Sequence, residues 1–509
     1  EARFQIEDML LDYRNNWPVI EDLDADVVFR NRRAFAKSTN ARILGSTLNQ
    51  ISAEITDLKT SDLSVTGAAT GPGANMLRFL RESPLRDRFK SYISDMTITG
   101  ENSLDLALQI PLKRGKNSVR EAAPVQVDGR ILFSGGGLHI NRQNIDLKEI
   151  KGTMAFTEQD LHGDNLEVRF RGDPALLSFT TKNTGRARET HFHLRGTFGL
   201  RALFDNIEPL FSPYMDGRSY WDVQLRIPQT KQGQSARYTV YLQSSLQGTS
   251  VSLPEPLAKG KASKRAIEVQ VDIAEESGMT FSINLDNVHN GLLAFKKSRS
   301  GMDFNRGMLY LNGGPATLPK TPGLVITGRL QHYSALNIGM GGEALPDWFN
   351  RLDARIDRLA LGSYLLYDTG VKISRDADTL ITTLNGRDIA GDIIVPVNPT
   401  PATPLNLRLQ HLTLHSSNKR PSIQHTAVSG HSDISPEPID PRNIPPTRTV
   451  IEKLYLDDEF LGRADFTLQP DVRGIRLKHL ELKSKQHEIS AKGDWQAGDQ
   501  QKSHLEITL

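Results

Sequence analysis

Residues 104–110 read Leu104-Asp105-Leu106-Ala107-Leu108-Gln109-Ile110, with an apolar side chain at every second position. Side chains alternate between the two faces of an extended chain, so this run predicts a strand with one apolar face and one wet face. The period recurs along most of the sequence. Trp221, Val223, Leu225 and Ile227 alternate with Asp222, Gln224 and Arg226. Ile267, Val269, Val271 and Ile273 alternate with Glu268, Gln270 and Asp272. Met279, Phe281, Ile283 and Leu285 alternate with Thr280, Ser282 and Asn284. Such alternation favours antiparallel sheet with one solvated side, because parallel strands covered on both faces read as continuous apolar runs. The reading is an all-β chain of about 25–30 short strands with a few short helices. Helical spacing is confined to Ala74–Arg81, Leu200–Leu210 and, more faintly, Glu7–Tyr13.

Gly135-Gly136-Gly137, Asn312-Gly313-Gly314 and Asn385-Gly386 separate apolar runs and read as hairpin connections. Residues 416–449 hold Pro421, Pro436, Pro438, Pro441, Pro445 and Pro446 with little alternation, and read as a long loop or linker. Two later stretches align without a gap at an offset of 95: Ile356, Leu359, Leu361, Leu365, Leu366, Val371 and Ile373 fall on Ile451, Leu454, Leu456, Phe460, Leu461, Phe466 and Leu468. Repeats of a one-sided sheet suggest an architecture that grows by adding units.

Composition narrows the chemistry. The chain has 509 residues, no Cys, 62 Lys and Arg against 60 Asp and Glu, and 38% hydrophobic residues. Missing thiols exclude disulfide scaffolds, cysteine zinc sites and cysteine nucleophiles. A near-neutral balance gives no long-range attraction for polyanions, so no nucleic-acid partner is expected. No run approaches the roughly 20 apolar residues of a membrane span. The sequence begins at Glu1 and ends within the strand-like run 504–509, so it reads as an excised fragment.

A sheet with one apolar face must cover it. A second sheet, closure into a barrel, or a long-chain ligand lying in a curled trough would each do so. A strand of five or six residues spans about 17–20 Å, comparable to a lipid tail, and acyl chains gain about 0.8 kcal/mol per buried CH₂. A trough floor and a sandwich core have the same alternation, and the residues alone leave both open. In the trough reading the lining is Leu104, Leu106, Leu108, Ile110, Trp221, Val223, Leu225, Ile227, Ile267, Val269, Val271, Phe281, Ile283 and Leu285.

Catalytic and metal signals are weak. His191-Phe192-His193 puts two imidazoles on one strand face without a nearby third ligand, and reads as a solvent-facing pair. Gly115-Lys116-Asn117 lacks the remainder of a phosphate-binding loop. No GxSxG or HExxH occurs. Arg30, Arg32 and Arg33 read as a wet face, or as contacts to lipid phosphates at a trough rim. No enzyme activity, cofactor or metal is expected.

Several landmarks in a fixed order carry a family resemblance. Trp17-Pro18 precedes the strand 23–29, and LKTSDLSVTG (58–67) leads to MLRFL (76–80) and ESPL (82–85). LDLALQIPL (104–112), GRILF (129–133), GTMAF (152–156), FRGDP (170–174), GRSYWDVQLRIP (217–228) and QSSLQGTSVSLPEPL (243–257) follow, with ISAKGDW (489–495) as a looser match. In order and spacing these resemble the AsmA-like family of Gram-negative envelope proteins, most closely its large YhdP-type members. The resemblance implies a long, twisted, curled antiparallel sheet forming an open hydrophobic groove of repeating units. It implies phospholipid as cargo, and a periplasmic position between an inner membrane reached by an absent N-terminal helix and outer-membrane or envelope partners at an absent C-terminal end. The implied organisation is a groove region over 1–290 with short helices near 74–82 and 200–210, continuing repeats over 291–415, the Pro-rich segment 416–449, and a truncated last repeat over 450–509. A non-conducting β-sandwich scaffold of the envelope is the competing expectation.

Overall fold

The computed structural model describes residues 1–13, 16–59, 62–86, 95–112, 125–141, 145–157, 159–183, 188–204, 213–228, 237–253, 255–274, 277–299, 301–334, 348–361, 364–376, 379–396, 399–415, 441–497 and 503–509. They fall into two compact units. The first holds residues 1–249 and 261–276, and the second holds 250–260 and 277–509.

The first unit opens with β1 (Ala2–Leu11), β2 (Ile20–Arg30), β3 (Arg33–Ile43), β4 (Ser46–Ile55), β5 (Leu63–Pro72) and helix α1 (Gly73–Glu82). Next come β6 (Met96–Thr99), β7 (Glu101–Ile110), β8 (Gln126–Ile140), β9 (Ile145–Thr157), β10 (Leu161–Phe170), β11 (Asp173–Asn183), β12 (Arg188–Phe198) and the single turn α2 (Leu200–Leu203). The order ends with β13 (Met215–Gly217), β14 (Ser219–Pro228), β15 (Arg237–Ser244) and, after β16 (Thr249–Val251) at the chain boundary between the units, β17 (Ile267–Ala274). One antiparallel ladder runs β1-β2-β3-β4-β5-β7-β8-β9-β10-β11-β12-β14-β15-β17, and β6 pairs with the far end of β8. Among the described residues no ladder joins β1 to β17, so this sheet is open rather than closed into a barrel.

The second unit contains β18 (Gly278–Leu285), β19 (His289–Lys297), β20 (Met302–Leu311), β21 (Gly323–Ser334), β22 (Phe349–Leu361), β23 (Tyr364–Asp376) and β24 (Thr379–Asn385). It continues with β25 (Ile389–Pro396), β26 (Leu405–Leu414), β27 (Thr447–Leu456), β28 (Glu459–Asp471), β29 (Gly474–Lys483), β30 (Glu488–Gln496) and β31 (Ser503–Thr508). Consecutive strands pair throughout. Three steps are parallel: β20 to β21, β21 to β22 and β26 to β27. The sequence reading of an antiparallel sheet therefore holds in general but misses these steps, because the strands of a parallel step alternate just as their neighbours do.

The 95-residue offset maps register onto register. Ile356 pairs with Thr369 and Ile451 with Ala464; Ala354 pairs with Val371 and Thr449 with Phe466. Strands β22–β26 and β27–β31 are thus two five-strand meanders, each entered by a parallel step.

Helix α1 matches its expected span; its apolar side puts Leu77 in the interior. The other local expectations need correction. Glu7–Tyr13 is not helical: residues 7–11 belong to β1, where Asp8 has φ 52° and the pairing slips between Ile6 and Met9. That β-bulge spaces the apolar residues three apart and so imitates a helix. Gly135-Gly136-Gly137 is no hairpin turn but lies inside the 15-residue β8, again at a register shift. Asn312-Gly313-Gly314 starts a crossover to the parallel β21 rather than a hairpin. Only Leu200–Leu203 of the second helix is described as helical; residues 205–210 lie outside the described residues, as do Gly115-Lys116-Asn117 and 416–440. From the Pro-rich stretch the structure describes a 3₁₀ turn at Pro441–Asn443 and then the start of β27.

Candidate functional site

Residues directly opposite one another in a ladder share a sheet face. In the first unit this rule traces one apolar row from strand to strand. It runs Ala41, Leu48, Ala69, Leu104, Ile131, Met154, Gly163, Phe179, Phe192, Leu225, Val240 and Val271, each residue paired with the next. Twelve strands at about 4.8 Å give a wall of about 53 Å. One residue away lies its largely polar counterpart, with Ala155 the one apolar member: Asp105, Arg130, Ala155, His162, Thr180, His191, Arg226, Thr239 and Asp272, likewise paired in succession.

The second unit repeats this. Ile283, Gly291, Leu309, Ile326, Leu352, Ile373, Thr382, Ile393, Leu407, Thr449, Phe466, Leu480, Ala491 and Ile507 form a register-paired row across all its strands. Two threonines are its only polar members. We call the apolar side of each sheet its inner face.

The fourteen residues expected as lining lie on the inner face of their own unit. Leu104, Leu225 and Val271 are in the first row. Leu106, Leu108 and Ile110 sit below on β7, against Gly67, Val65 and Leu63 of β5. Trp221, Val223 and Ile227 share the face on β14, opposite Gly196, Leu194 and Thr190. Ile267 and Val269 face Ser244 and Leu242. In the second unit Phe281, Ile283 and Leu285 face Leu293, Gly291 and His289.

Burial along these rows is uneven. Trp221, Leu108, Val269, Val271 and Phe281 are buried, whereas Leu104, Leu106, Val223, Leu225, Ile267, Ile283 and Leu285 are only half-buried. Central side chains of an inner face pressed against a second sheet would be covered throughout. The partial exposure marks an apolar wall with an open side. The first polypeptide crossover of the second unit leaves that wall clear. Residues 312–322 lie against Arg306, Met308 and Tyr310, on the face opposite Gly307, Leu309 and Leu311: Arg306 Nη1 donates to the Pro319 carbonyl at 3.2 Å, and the Thr317 N–H reaches Met308 Sδ at 3.5 Å.

Bulges bend the wall, and side chains hold them. The amide freed at Asp8 donates to Asp24 Oδ1 (2.9 Å), that of Asn165 to Ser178 Oγ (2.9 Å), and that of Tyr367, beside Asp368 at φ 51°, to Asp388 Oδ2 (2.8 Å). Asp388 is 2% exposed. Burial pushes its carboxyl up, but the Arg387 guanidinium at 3.0 Å, the Tyr367 N–H and the nearby His415 ring outweigh burial and hold it below the usual carboxylate range.

The histidine pair faces outward on β12. His191 lies 3.1 Å from Glu189 and His193 lies 2.7 Å from Asp222. No group of three metal-ligating side chains occurs among the described residues. Arg30 and Arg32 are held in surface ion pairs with Glu1 and Asp57. The sequence reading missed Met154, Phe179, Phe192 and Val240. Their alternation is present in β9, β11, β12 and β15; between Met154 and Phe179 the row passes through Gly163 of β10, where a Cβ would lie 2.5 Å from the Phe179 ring, so a glycine is needed for that ring to lie across β10.

The intermembrane phospholipid transporter YhdP of Escherichia coli (strain K12) is 24% identical over 260 residues, which is 51% of this chain. The match covers 20% of that protein, so the chain spans a small part of the relative's length. No solved structure matches. The family described as YhdP protein matches residues 1–509, and the chain belongs to that family.

Proposed function

We propose that this chain is a segment of a non-catalytic bridge that carries phospholipid through the periplasm between inner and outer membranes. Acyl chains lie on the inner faces and head groups project from the open side. The partners are phospholipid, the inner membrane and the outer membrane or its envelope proteins. The observation that carries the reading is the register-paired, largely apolar row in each unit, partly exposed along its length, with a largely polar row beside it in the first unit. Each buried CH₂ of a tail contributes about 0.8 kcal/mol wherever it lies on such a wall. A nearly level profile of this kind favours sliding over capture.

The test places a photoreactive amino acid at Leu106 or Leu225 and, in separate proteins, at Asp105 or Gln224. Phospholipid adducts at the first pair and none at the second are expected. Equal labelling of both faces, or none at either, would sink the reading in favour of a scaffold that conducts no lipid.

A further inference from the structure

On the inner positions of β7–β12, β14, β15 and β17 only two charged residues are described. Asp173 stands at the β10–β11 turn, ion-paired with Arg218. Arg188 stands at the opposite edge, where β12 begins, and has no carboxylate partner among the described residues. Alternation fixes its face: Arg188, Thr190, Phe192 and Leu194 point the same way, while Glu189 between them faces outward to His191.

Neutral polar groups share this end of the inner face with Arg188. Its Nη2 donates to Gln159 Oε1 at 3.0 Å. Thr190 lies two residues up the strand, with Thr181 opposite it; their hydroxyls are 3.4 Å apart. Thr181 also accepts the Leu161 N–H at 3.1 Å. The Arg188 Nε is shielded from water and makes no hydrogen bond. A guanidinium has five donors, and one is used among the described residues. A permanent cation without a carboxylate partner among the described residues, with one donor shielded from water, offers its charge and its remaining donors to an anion.

We propose that Arg188, with Thr181, Thr190 and Gln159, forms a phosphate-binding station on the inner wall of the first unit. The proposal rests on the lipid-carrying reading and sharpens it by fixing which end of the lipid lies where. The planar guanidinium matches phosphate oxygens two at a time. Its place at the sheet edge leaves a head group in water. Above it, the inner positions of β12 from Thr190 to Phe198 offer about 26 Å of wall for tails. A lipid phosphodiester and a free phosphate share the recognised chemistry.

The test uses the full chain with three probes: dihexanoyl phosphatidylglycerol, dihexanoylglycerol and inorganic phosphate, each titrated calorimetrically. The phospholipid binds about tenfold more tightly than the uncharged lipid, and Arg188→Gln removes that advantage without changing dihexanoylglycerol binding. Arg188→Lys keeps part of it, which a merely structural role would not produce. Unchanged thermal unfolding of both variants excludes misfolding as the cause. If Arg188→Gln weakens both lipids equally, or neither, the station is overturned and the trough reading survives. If the wild-type chain binds neither lipid, both are overturned. Inorganic phosphate binding as tightly as the phospholipid, and lost in Arg188→Gln, supports the station but overturns the head-group assignment.

Discussion

Every ladder described in the first unit is antiparallel, whereas the second contains three parallel steps. The first unit carries α1 and α2, both following strands that run toward the same edge of the sheet; the second has no α-helix among its described residues. Yet both present the same apolar row. The wall therefore does not depend on one connectivity. What it requires is that inward side chains stay in register from strand to strand. Hairpins, helices and crossovers are alternative ways of returning the chain to the sheet.

That equivalence can be broken most directly with charge. Leu106→Asp in the first unit and Leu407→Asp in the second are each expected to abolish phospholipid transfer between vesicles, while Asp105→Lys and Arg408→Glu preserve it. Transfer surviving in one unit alone would show that only the other conducts. A second contrast concerns packing. Leu366 is 1% exposed and Leu104 is half-buried. Leu366→Ala is expected to cost about 2–5 kcal/mol, and Leu104→Ala about 1 kcal/mol, in urea unfolding. Equal costs would mean that Leu104 is as tightly covered as Leu366.

The bulge at Asp368 supplies a third test. Asp388→Asn removes the charge that holds the freed amide, and is expected to lower stability by about 1–3 kcal/mol at neutral pH. Because the folded carboxyl titrates below its unfolded value, its contribution is complete above about pH 5 and fades as the pH falls through the depressed folded value. Wild-type and variant melting curves should therefore converge in acid. The smallest effect is expected for the neighbouring surface pair, Arg355 with Asp368, which is about half exposed on both sides. Arg355→Gln should leave the melting midpoint unchanged; a clear drop would mean that this pair, too, holds the bulge.

Much of this was legible in the sequence because one face meets water. Leu104 to Ile110 and Trp221 to Ile227 alternate without fault, and their registers place them together on one side. The reading failed where a bulge changes phase. Around Asp8 an added residue produces helical spacing, and at Gly135 a long strand carries the residues of a turn. Parallel steps were illegible because strand direction leaves no mark on alternation. Arg188 was missed because the apolar phase was followed only through apolar residues. Extending it from Phe192 back through Thr190 would have reached the cation.

The five-strand meanders of the second unit also bear on how such a chain could lengthen. Five is odd, so a chain entering β22 at one edge leaves β26 at the other. A sixth strand added by a hairpin would turn the next copy upside down. The parallel step into β27 resets the direction, so each copy begins as the previous one did. A tandem duplication of the corresponding stretch of gene would then insert a further panel with its margins already the right way round.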